Sequence, residues 1–332
     1  MKELIEKLCE IPGPSGHENA IREAIQKEVA PFADSMEVDA LGNLIVHKGA
    51  RGKDGLRIML SAHMDELGII VTHVDKKGFV RFTTIGGVYV RYLAGSRVLF
   101  LNGVKGTINH EPAEEPSKIP SMEEFFIDVG ATSPADCPVK VGDLAVFDRP
   151  FMDLGSRFMS KALDDRVSCA VLIETLRQVK QSPNELLFVF SVQEEVGVRG
   201  AITAAYSIDP DLGIAVDVTG TGDTPGNQKM EVALGGGAAI KIRDQGMLCD
   251  PKVIRWMRAA AEKAGIKHQM EILRGGTTDA YQIQVNRAGV PTGAISIPCR
   301  YIHSPSEMAD IHDLENSVKL LVTLISGPVH LK

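Results

Sequence analysis

Aromatic residues are scarce in this sequence, 5% of the total with a single tryptophan, and no CxxC pair occurs. The five cysteines (Cys9, Cys137, Cys169, Cys249 and Cys299) are scattered and odd in number. That excludes a zinc finger, a thioredoxin-type motif and a disulfide framework, and free thiols point to a reducing compartment. No apolar run approaches the ~18 residues of a membrane span, so no membrane partner is expected. The opening stretch MKELIEKLCEIPG mixes Leu4, Leu8 and Ile11 with charges and has no signal-peptide core, so a cytoplasmic location is expected. A surplus of positive charge is also missing. With 43 acids against 36 bases the net charge is −7, which counts against a nucleic-acid partner. Gly220-Thr221-Gly222 is followed by Pro225 and fails the dinucleotide spacing, and no phosphate-loop spacing occurs.

What is there is the composition of a globular protein, 44% apolar and 24% charged, over 332 residues, a length that suggests about two domains. Ser15 and Glu18 have capping-box spacing ahead of an amphipathic stretch at 20–29. Strand-like runs at 36–38 and 43–47 flank a bend at Leu41-Gly42-Asn43, and the apolar run 56–62 delivers the chain into His63-Met64-Asp65-Glu66. Residues 69–158 hold only short β-like runs broken by turn signals, the pattern of a small barrel or sandwich. Residues 110–124, with three prolines and five glutamates, read as a solvated loop.

From Ala162 onward helix and strand alternate. Helices are predicted at 165–179, 201–206, 251–264, 279–286 and 312–325, and strands at 186–192, 212–218, 269–273 and 291–297. This alternation predicts an α/β sheet covered by helices on both faces. The expected architecture is one discontinuous α/β domain, 1–68 and 159–332, with an all-β barrel-like domain, 69–158, inserted.

The chemistry-bearing residues follow the strands. His63 and Asp65 come after one strand, Glu194 and Glu195 after a second, Asp217 ends a third, and His303 lies beyond a fourth. Asp164 and Asp165 open a helix. Open α/β sheets bind ligands outside the carboxyl ends of their strands, so these residues are expected to share one edge. A carboxylate buried unpaired in the apolar run AVDV would cost several kcal/mol, which makes Asp217 hard to read as structural. Two histidines and three carboxylates, one of them shared, suit two divalent ions such as Zn²⁺, Co²⁺ or Mn²⁺. Two such ions ~3.5–4 Å apart can hold a bridging water and lower its pKa toward neutrality. A further carboxylate would move its proton, and Glu194-Glu195 offers one ligand and one base. Asp65 is spaced to orient the His63 imidazole.

In order along the chain stand IPGPSGHE, DALGNL, SAHMDELG, KALDDR, VQEEVGVRGA, AVDVT, GGTTDA and YIHSPSE. By these landmarks the sequence resembles the M42 family of metallo-aminopeptidases (the glutamyl- and tetrahedral-aminopeptidase group) over essentially its whole length. The resemblance implies that His63, Asp164 and Asp217 hold one ion and that Asp164, Glu195 and His303 hold the other. It makes Asp164 the bridge, Glu194 the general base, Asp65 the residue orienting His63, and Asp165 a neighbour. It also implies a three-layer metallopeptidase domain whose inserted domain assembles dimers into a larger, often twelve-subunit, hollow particle. One departure is Gly235-Gly236-Gly237-Ala238, where relatives often read Gly-x-Gly-Pro.

The implied reaction is removal of the N-terminal residue from short peptides. The alternatives are a metal-dependent deacylase acting on N-blocked substrates, a metal-independent glycosidase using two carboxylates, and a non-catalytic peptide-binding or assembly protein with structural metals. The side-chain pocket is expected from the turns around 235–237 and the stretch 274–279.

Overall fold

The computed structural model describes residues 1–112, 119–227 and 229–331; part of the 110–124 loop, residues 113–118, lies outside the described residues. Four buried strands form the middle of the larger sheet in the order Glu185–Ser191, Arg57–His63, Leu212–Thr219 and Thr292–Arg300, each parallel to its neighbour. Their near-continuous apolar runs fit strands covered on both faces. Along Glu185–Ser191, Leu186, Phe188 and Phe190 enter the larger core, while Leu187 and Val189 enter a second core on the opposite face. The period of two sorts the other strands likewise, Ile58 and Leu60 to one side and Met59 to the other.

One face is covered by Lys2–Glu10, Asn19–Val29, Leu163–Gln178, Pro251–Ala264 and Ile311–Ile325, and the other by Arg199–Ile208 and Asp279–Gln284. The helix Leu163–Gln178 is buried on nearly every side, as its poor amphipathicity requires. Pro251–Ala264 has clean punctuation: Asp250 accepts from the Lys252 N–H at 2.7 Å, Pro251 occupies the first turn, and Gly265 at φ +64° ends it.

The second unit is a closed antiparallel barrel of six strands between Gly68 and Phe147. It has its own core, which includes Ile69, Val80, Phe82, Val98, Phe100, Ile108 and Ile127. Closure removes the free strand edges that short β-hairpins otherwise expose. Met152–Leu154 and Arg157–Ser160, which follow the barrel, pair into the larger sheet through Glu307–Asp310. The molecule is therefore a three-layer α/β structure with an inserted small barrel. Among the described residues no helix is long and apolar enough to cross a membrane.

Several local expectations need correction. Ser15 does not cap the helix Asn19–Val29; its hydroxyl donates to Asp65 at 2.6 Å, and Glu18 accepts from Gly16 and Gln193. The same Ser-x-x-Glu spacing does close a reciprocal cap at Ser121 and Glu124. The helix expected at 165–179 runs regularly from just after Asp165, since Asp164 and Asp165 are non-helical, and the one expected at 201–206 extends over Arg199–Ile208. Strands Ala238–Arg243 and Glu307–Asp310 escape the pattern reading, the first behind a glycine run and the second only four residues long.

Candidate metal centre

Because four neighbouring strands run parallel, their carboxyl ends lie side by side. His63 ends one, Glu194 and Glu195 follow another, Asp217 lies near the end of the third, and His303 comes three residues after the fourth. A non-helical step at the start of Leu163–Gln178 brings Asp164 and Asp165 to the same place, with a cis peptide between them. All of the expected ligands meet there.

The centre is organised around Asp164. Its Oδ1 lies 3.0 Å from Nε2 of His63, and its Oδ2 lies 3.4 Å from Nε2 of His303. Glu195 Oε2 is also 3.4 Å from His303 Nε2, and Asp217 Oδ1 is 4.0 Å from His63 Nε2. Donor atoms of His63, Asp164 and Glu195 all fall within 4.8 Å of one another, as do those of His63, Asp165 and Asp217. Asp165, expected only as a neighbour, accepts from the His63 N–H at 3.3 Å and is fully buried.

The electrostatics call for cations. Burial, reinforced by mutual repulsion, pushes the Glu194, Asp165 and Asp217 carboxyls well above the usual range, and takes Glu195 up to about 8. His63 is raised despite its burial, by its hydrogen bond to Asp164 and the Asp65 carboxylate beside it, and His303 is raised to about 10 against its own desolvation by Asp164 and Glu195. Among the described residues, Asp165 Oδ1 and Glu195 Oε1 are buried without hydrogen-bond partners. Crowded acids with unspent oxygens and two imidazoles are the donor set of hard-to-borderline divalent ions, so the residues present fit such metals.

A cavity of about 490 Å³ opens on this cluster. Beyond the acids and histidines, Tyr89, Leu273, Thr277 and Ile302 form much of its wall. The 274–279 stretch thus reaches the cavity through Gly275, Gly276 and Thr277, as expected, whereas the 235–237 turn does not: the Gly235 and Gly237 N–H groups donate to Asp313 instead, each at 2.7 Å.

Solved structures share this fold over nearly the whole chain. An aminopeptidase, APDkam598, from the archaeon Desulfurococcus kamchatkensis is similar at 40% identity and TM-score 0.94, covering 98% of this chain and 94% of its own. The TET1 peptidase of Pyrococcus horikoshii, described as assembling into a tetrahedron or a large octahedral shell, is 35% identical at TM-score 0.87, covering 98% of each chain. An Acetivibrio thermocellus protein that is assigned, by name only, to the aminopeptidases is 47% identical over 98% of each. The family model for M42 glutamyl aminopeptidase matches residues 42–320. The chain belongs to the M42 glutamyl aminopeptidase family. It is therefore a peptide hydrolase, and M42 peptidases are metallopeptidases.

Three supports of this M42 centre went unread in the sequence. Glu307, fully buried, accepts from the His303 N–H at 2.9 Å and from the Asp164 N–H at 3.0 Å, so one carboxylate fixes the backbone of both residues. Its signal was the last residue of YIHSPSE. Ser15 and the Glu194 and Glu195 N–H groups all donate to Asp65, tying the first loop and the end of Glu185–Ser191 to the segment after His63. The barrel reaches in as well: the Gly87 carbonyl lies 3.0 Å from His303 Nδ1, and a Cβ at Gly87 would sit 3.0 Å from that ring. His303 itself holds φ +62°, an uncommon conformation for a non-glycine residue and typical of functional sites.

Proposed function

We propose that this chain is a two-metal aminopeptidase that removes the N-terminal residue from short peptides. His63, Asp164 and Asp217 would hold one divalent ion and Asp164, Glu195 and His303 the other. The observation that carries this is Asp164, whose two oxygens face two different histidines, the geometry of a shared ligand. When bound, the ions polarise the scissile carbonyl and acidify the attacking water. Glu194 is the proton carrier: its carboxylate stands 4.0 Å from His63 Nε2, and no hydrogen bond among the described residues engages it. A raised pKa from burial suits a group that must take a proton and hand it to the leaving amine. Asp65 Oδ1, 3.3 Å from His63 Nδ1, holds the imidazole's orientation. Zinc, cobalt and manganese all suit the donor set.

In this reading residues 1–68 and 159–332 form the catalytic unit, and the inserted 69–158 domain serves dimerisation and larger assembly. The family's oligomeric relatives support that role, and the free state of all five cysteines supports a cytoplasmic location.

The test is a chelation and metal-replacement series on the purified protein with paired substrates. Hydrolysis of free aminoacyl substrates should vanish on chelation and return with Zn²⁺, Co²⁺ or Mn²⁺, while N-blocked counterparts stay intact. Activity that survives thorough chelation, or that is confined to blocked substrates, would overturn the reading.

A further inference from the structure

The cavity over the metal ligands shares Gly220 and Ile302 with an adjoining groove of about 430 Å³. Two arginines line that groove. Arg300 is neutralised by Asp223, which accepts from it at 2.6 and 3.0 Å. Arg91 is different: it is exposed, and among the described residues it makes no ion pair or hydrogen bond. Its guanidinium is held over the rings of Tyr89 and Tyr92, 5.1 and 5.7 Å from their centroids. Stacking of this kind positions a guanidinium while leaving its N–H fork free.

Building on the aminopeptidase reading, we infer that Arg91 is a subsite for the free C-terminal carboxylate of a short peptide substrate. Tyr89 connects the two ends of the argument. Its ring lies 6.1 Å from that of His303 and stands under the Arg91 guanidinium. The two contacts in series put Arg91 at most roughly 11 Å from the His303 ring at the edge of the centre, about the reach of three extended residues. A tripeptide bound by its N-terminus at the metals presents its carboxylate within this range. A planar guanidinium receives a carboxylate through two parallel hydrogen bonds, which gives direction as well as attraction. No carboxylate lines the groove among its described residues, and nearby Asp223 is already engaged by Arg300. Such a site selects for length: the carboxylate of a long peptide falls beyond the groove, whatever its sequence.

The experiment compares Leu-Gly-Gly, its C-terminal amide and leucine p-nitroanilide on the metal-loaded wild type, Arg91→Ala and Arg91→Lys. The wild type should favour the free acid over the amide by about tenfold in kcat/KM, carried by KM, and the preference should shrink as salt rises. Arg91→Ala should erase the acid-to-amide ratio, and Arg91→Lys should keep part of it. Equal rates on acid and amide in the wild type, or an unaltered ratio in Arg91→Ala, overturn the inference. In either case turnover of the anilide leaves the aminopeptidase reading intact. No turnover of any substrate overturns both.

Discussion

Asp65 Oδ1 lies 3.3 Å from Nδ1 of His63, on the far side of the imidazole from Asp164. That carboxylate also accepts from the Ser15 hydroxyl and from the N–H groups of Glu194 and Glu195. The His63 imidazole beside it, together with the hydrogen bonds from these donors, keeps it below the usual carboxylate range against the pull of burial. Asp65→Asn preserves shape but removes the charge that fixes the imidazole. Metal affinity or kcat/KM should fall about 10–100-fold. Metal content by mass spectrometry and steady-state rates on one preparation check this; wild-type values for both would remove Asp65 from the site.

Glu194→Gln should separate binding from chemistry. The amide fills the same space but moves no proton, so metal content should stay near that of the wild type while kcat drops about 10²–10⁴-fold. Near-normal turnover would reassign the base.

Glu307 contributes to stability as well as to geometry. Glu307→Ala strands two buried N–H groups, those of His303 and Asp164, and opens a cavity. A loss of about 2–4 kcal/mol is expected from these combined costs. Chemical denaturation of the metal-free variant and wild type gives this directly, and a difference below about 1 kcal/mol would contradict it.

Asp313 predicts a pH dependence remote from the metals. Burial outweighs the two glycine N–H donors and raises its pKa to about 6. For an acid whose folded pKa lies above its unfolded value, ionisation favours unfolding. Its contribution to stability therefore declines as pH climbs from about 4 to about 6 and is constant beyond. Relative to Asp313→Asn, the wild type should lose on the order of 2 kcal/mol between pH 4 and pH 7. Urea unfolding of both proteins at the two pH values measures it. A stability gap that does not change with pH would mean that Asp313 titrates normally.

The parts of this fold that could be read from sequence are those with a strong period. The central strands alternate between two cores, so their runs are apolar throughout, and each hands the chain to its ligand at the carboxyl end. His63, Glu194, Asp217 and His303 were therefore legible by position. The remainder depends on long-range pairing. Ser15 carries a capping-box spacing but spends its hydroxyl on Asp65, a residue fifty positions away. Glu307–Asp310 is too short to show a period, yet it carries the carboxylate that sets two ligand backbones. Gly87 acts through its carbonyl and its lack of a side chain, neither of which leaves a pattern in the residues around it.

The reach of the barrel into the cleft has a consequence for engineering and for divergence. Gly87 and Tyr89 belong to the inserted unit, while the acids and histidines they border belong to the sheet. Grafting a relative's barrel onto this sheet would exchange part of the substrate wall together with the scaffold. A change in what the enzyme cleaves can thus arise with every metal ligand untouched.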